Sequence, residues 1–199
     1  MQAHPLPSSP ARSGHPPCPP AKELQRKAQW MALLMLAVGI HVFESALPGL
    51  GPWFKPGLAN IVTLVALVML GPKEALMLAL ARVLVGSLFI GTMFTPTFVM
   101  SLSGALAAAL VMLAAWRMLP GISLPGVSLL GAVAHMLVQF FIVEALFIQQ
   151  AALFYLLPPF LLVAALTGWV NGAAAAYITE HLRSTETMHE QNASGAAHV

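Results

Sequence analysis

Apolar residues along this chain gather in long runs and do not alternate with polar ones. The runs cover 29–47, 57–71, 75–91, 97–119, 127–148 and 157–180. Proline, glycine and charge punctuate them, in "PGLGPWFKP", "GPKE", "GTMFTP", "PGISLPG" and "QQAALFYLLPP". A hydrocarbon core about 30 Å thick takes roughly 20 helical residues per crossing. In lipid each backbone donor needs a partner within the protein, which leaves helices or a closed barrel. Continuous runs select helices over strands. The pattern predicts an all-α integral membrane protein with six transmembrane helices. The second and third runs are short, which predicts a tilted or broken helix there.

Composition agrees with the pattern: 58% of the 199 residues are hydrophobic and 8% are charged. Soluble domains carry about 25% charged residues, so this chain lacks the means to cover a soluble surface. The ends differ from the middle. Residues 1–21 hold seven prolines and little that could build a core, so 1–28 reads as a disordered proline-rich cytoplasmic tail. Residues 29–180 form the transmembrane domain and 181–199 a short polar cytoplasmic tail. Lys22, Arg26 and Lys27 before the first run resemble a signal-peptide start, but the further spans favour a retained anchor. The single cysteine, Cys18, lies in the tail and has no partner for an internal disulfide. With the N-terminus inside, Arg12, Lys22, Arg26, Lys27, Lys73, Arg117 and Arg183 are all cytoplasmic and only Lys55 is outside. The positive-inside rule therefore places both termini in the cytoplasm, for a multi-pass protein of the bacterial inner membrane.

Ionisable residues inside spans are costly and by default mark function. Arg82 falls in the middle of the third run, with Glu44 and Glu144 near the outer ends of the first and fifth. Asn60 shares a face with Thr63, and Gln139 lies one turn outward of His135. These groups collect in the outer half of the membrane. They predict a polar chamber whose substrate-binding residues are Glu44, Asn60, Arg82, His135, Gln139 and Glu144, with Lys55 on the lid. Each has a structural alternative. Arg82 either contacts a ligand or neutralises Glu44 or Glu144. His135 with Gln139 suits an interhelical hydrogen-bonding pair better than a metal site, and Asn60 suits a cap or interhelical bond as well as a ligand contact. Thr167 and Asn171 read as packing contacts. Small residues four apart, Ala28 with Ala32 and Gly168 with Gly172, allow close helix approach.

The sequence holds no aspartate, no phosphate-binding loop, no Cys/His zinc spacing and no nucleophile elbow. No cofactor, metal site, catalytic group or nucleic-acid surface is expected, and the chain carries no ATPase of its own.

The segments "ESALPG", "KPGLANIVTLVAL", "GPKEALMLALARVLVGSLF", "SLSGALAAAL" and "LLGAVAHMLVQ" resemble the Gx transporter family, also labelled heptaprenyl diphosphate synthase component I. The resemblance covers about residues 30–180. That family resembles the S components of energy-coupling-factor importers, which capture vitamins through six helices, with both termini inside and a chamber near the outer face. The resemblance implies a substrate-binding membrane subunit for a small polar metabolite or vitamin precursor. Its implied partners are that small-molecule substrate, membrane lipid, a transmembrane coupling subunit docked at Ala28 and Ala32, and separate cytoplasmic ATPases. Two other functions stay open. One is a stand-alone transporter with Glu44, Glu144 or His135 carrying coupling protons. The other is an accessory membrane subunit associated with heptaprenyl diphosphate synthase. The prenyl-condensing subunit itself is excluded by the missing aspartates, since phosphate-bound Mg²⁺ generally takes carboxylates.

Overall fold

The computed structural model describes residues 21–46 and 57–196. The proline-rich stretch 1–20 and the segment 47–56, which contains Lys55, lie outside the described residues, so the tail and lid expectations do too. Among the described residues the protein is all-helical: α1 (Ala21–Ala46), α2 (Ala59–Met69), α3 (Pro72–Ile90), α4 (Pro96–Met118), α5 (Leu124–Val143) and α6 (Leu157–Ala196). A π-helical turn, Glu144–Ile148, extends α5, and a 3-10 turn, Ala151–Leu156, leads into α6.

Local chemistry sets these boundaries. Gly71, at φ +110°, turns the chain where a side chain would be strained, and Pro72 then opens α3 at a position that needs no N–H. Gly91 ends α3 in the left-handed region at φ +77°. Thr95, in extended backbone, precedes Pro96, which opens α4 as Pro72 opens α3. The Ser123 hydroxyl accepts from the Gly126 N–H and caps α5. The polar segment after residue 180 continues α6 without a break as far as Ala196.

Four helical stretches are long and apolar enough to cross a membrane: Ala21–Ala46, Pro96–Met118, Leu124–Ile148 and Ala152–Thr185. The other two α-helices differ for physical reasons. α2 has 11 residues, a rise of roughly 16 Å, about half of a hydrocarbon core. α3 has 19 residues but carries Lys73, Glu74 and Arg82. α2 is also the most enclosed helix: Val62, Thr63, Leu64, Val65, Ala66 and Leu67 are all buried. A helix apolar on every side belongs inside a bundle, and α2 is packed by α1, α3 and α6.

Packing depends on small side chains. A Cβ on Gly172 would stand 2.5 Å from the Pro125 Cα, and one on Gly168 would stand 2.6 Å from the Ala132 Cβ. The Gly168/Gly172 pair therefore seats α6 directly on α5, as its spacing predicts. At the end of the bundle where α1 begins, Arg26 bonds the Leu70 carbonyl at 2.6 Å and pairs with Glu74. The Trp30 indole donates to the Glu74 carbonyl at 3.2 Å. This cluster ties α1 to the turn between α2 and α3 and answers an orphan carbonyl at the C-terminus of α2. An apolar core of Leu64, Leu78, Met112 and Val127 fills the bundle interior.

Candidate functional site

Away from the Arg26 cluster, the six α-helices surround a cavity of about 810 Å³, a volume that includes the space at its mouth. Each α-helix contributes to its wall. α1 supplies His41 and Glu44, one turn apart, and α2 supplies Asn60. Arg82 comes from α3 and Ser101 from α4. α5 presents Gly131, Ala132, His135, Met136 and Gln139, a ridge set by helical periodicity. α6 closes the wall with Ala164, Thr167 and Asn171. Concave sites that mix apolar walls with a few convergent polar groups are typical of small-molecule sites.

The charges are buried. Arg82 and Glu44 are 6% and 7% exposed, and Glu44 is the carboxylate that acts electrostatically on Arg82. Glu44 also accepts from the Leu58 N–H, fastening the end of α1 to the start of α2. The Arg82 Nε is buried without a hydrogen-bond partner among the described residues. A buried donor left unpaired costs about 1–3 kcal/mol, and this one belongs to a residue on the cavity wall. Asn171 donates to the Gly57 carbonyl at 3.3 Å, linking α6 to the entry of α2. The Asn60 amide contacts the Met112 sulfur at 3.6 Å, and Gln139 donates weakly to the Met100 carbonyl at 3.4 Å.

Two glycines make room for the histidines. A Cβ on Gly86 would lie 2.5 Å from the His41 ring, and one on Gly104 would lie 2.9 Å from the His135 ring. Both rings thus rest against a bare backbone on the neighbouring helix.

Of the residues singled out from sequence, Glu44, Asn60, Arg82, His135 and Gln139 come together on one wall system. Glu144 does not: it sits half-buried on the π-turn, outside this cavity. Of the two carboxylates, Glu44 shares the cavity wall with Arg82 and Glu144 does not. His41, Ser101, Thr167 and Asn171 line the cavity although the sequence reading left them out of the site. For His41 the signal was its spacing from Glu44. For Asn171 it was hidden, because an amide in a span serves packing as readily as a chamber. Ala28 and Ala32 are exposed on α1, on the side away from buried Ala37. No group of three or more metal-ligating side chains occurs among the described residues.

The model of the family described as heptaprenyl diphosphate synthase component I matches residues 33–178, and the chain belongs to that family. The match runs from the middle of α1 to just past the middle of α6 and includes every residue of the cavity wall named above. No significant match is found among curated proteins or solved structures.

Proposed function

We propose that this member of the heptaprenyl diphosphate synthase component I family is a solute-binding membrane subunit, comparable to the S component of an energy-coupling-factor importer. The observation that carries this reading is the cavity itself, walled by all six α-helices and lined by two buried, oppositely charged residues, Arg82 and Glu44, the first with an unanswered donor. A buried charge pair is weak evidence for stability alone. Placed on a cavity wall, it is well suited to orienting a ligand. In this reading the six-helix bundle lies in the bacterial inner membrane with both termini inside. The chamber opens outward, Glu44, Asn60, Arg82, His135 and Gln139 contact the solute, and Lys55 belongs to the lid. A coupling subunit meets the exposed Ala28/Ala32 face, and separate ATPases supply the energy.

Mass spectrometry of compounds released from the purified protein tests the reading. A small molecule retained by wild type and lost in Arg82→Gln is the expected outcome; wild-type protein that retains no solute, from cells taking up a full range of metabolites, would sink it. The family description favours a second reading, an accessory membrane subunit of a prenyl-diphosphate synthase. Co-purification with the synthase catalytic subunit, and loss of its activity on deletion of this chain, would select that reading.

A further inference from the structure

A second, smaller cavity of about 350 Å³, a volume that includes the open space at its mouth, lies beside the chamber, lined by Met100, Met136, Phe140, Val143, Leu153 and Phe160 together with Gln139. Met136 and Gln139 line both cavities and stand one turn apart on α5. Their side chains are therefore the partition between a polar chamber and an apolar annexe. The partition is soft. Met is unbranched and adapts to irregular space, and Gln139 is held to α4 by one long bond of 3.4 Å. Phe140, one of the annexe's lining residues, meets the Phe154 ring edge to face at 5.6 Å.

The chamber has its own chemical bias. Among the described residues that line it, Arg82 and Glu44 are the only permanently charged groups, and their charges cancel. An anionic head would add a charge that no further described wall residue compensates, which is expensive in a buried site. A neutral head leaves the two charges balanced. Asn60, Gln139 and Asn171 add amides able both to donate and to accept.

We infer that the ligand is amphipathic, with an uncharged amide-like head in the chamber and an apolar arm passing Met136 and Gln139 into the annexe. This inference rests on the solute-binding reading above and narrows its substrate class.

The test uses the full-length protein in lipid nanodiscs, with empty nanodiscs correcting for partition into lipid. Equilibrium dialysis measures binding of butanamide, octanamide and dodecanamide, and of the three matching carboxylates. Octanamide should bind at least about tenfold tighter than butanamide, as burial of a few methylenes implies. Leu153→Trp, which fills only the annexe, should abolish that gain and leave butanamide within about twofold of wild type. Leu153→Ala enlarges the same space without added bulk and should shift the preference toward dodecanamide. An unchanged chain-length gain in Leu153→Trp, or none in wild type, removes the annexe from the site and overturns the inference. Carboxylates binding as well as the amides overturn the neutral head, and so does failure of all six probes. None of these outcomes touches the wider reading, which stands or falls on whether purified protein retains a solute.

Discussion

Arg82 and Glu44 show how much one residue pair carries. The guanidinium is buried on α3, and its counter-charge comes from the far end of α1. Removing either partner leaves the other charged and desolvated, which typically costs about 3–5 kcal/mol. Arg82→Ala is expected to lower thermal stability in the absence of any solute. The double variant Arg82→Gln/Glu44→Gln should recover much of that loss, because two neutral amides restore balance. Melting curves of the single and double variants decide the matter; a double variant no more stable than Arg82→Ala would mean that the two residues do not act as a pair. Arg82→Lys should rescue stability better than ligand binding, since lysine brings charge without the planar fork.

At the scale of the helices, contact is set by where side chains are missing. α6 lies so close to α5 that a methyl at position 172 meets rigid backbone at Pro125. Overpacking of this kind costs typically about 1–3 kcal/mol. Gly172→Ala should therefore destabilise the protein by roughly that amount. By contrast, Gly39→Ala on α1 meets nothing within 4 Å and should be neutral or stabilising by about 0.5–1 kcal/mol, the usual gain from replacing a helical glycine. Thermal denaturation of the two variants side by side checks the contrast. Equal effects would show that the α5–α6 seam tolerates separation. The exposed face of α1, with Ala32 among bulky Met35, Leu36 and Phe43, provides the complementary case. If a coupling subunit docks there, Ala32→Leu should weaken its co-purification while leaving solute binding unchanged; full recovery of the subunit would clear α1 of that role.

For the molecule as a whole, polarity runs from one end to the other. Arg26 and Glu74 meet where α1 and α3 begin, Arg117 ends α4, and the polar extension of α6 leaves beyond residue 180. The chamber gathers the opposite halves of the same helices. The proposed orientation puts the turn between α3 and α4 outside, and there Phe94 is almost wholly exposed at 98%. With Cys18 replaced, Phe94→Cys should react with an impermeant thiol reagent in intact cells. A cysteine at Gly121, in the turn between α4 and α5, should react only after permeabilisation. The reverse pattern would invert the protein and close the chamber to the outside.

The sequence alone determined the class of the molecule and the rough extent of its helices, because long apolar runs have no other stable form in lipid. Glycine and proline at positions such as Gly71–Pro72 and Gly91 then marked the ends, being local conformational preferences that need no tertiary partner. Spacing along one helix was enough to group His135 with Gln139, and Gly168 with Gly172. Which helices face one another is not a local property, and there only the tertiary structure decided. It put Glu44 and not Glu144 on the same wall as Arg82, since α1 packs against α3 whereas Glu144 lies on the turn that follows α5, outside the cavity. It drew Asn171 to the entry of α2 across 114 residues of sequence. It also showed α2 to be too short to cross alone and enclosed on all sides, because an apolar run reports a preference for burial without saying whether lipid or protein provides it.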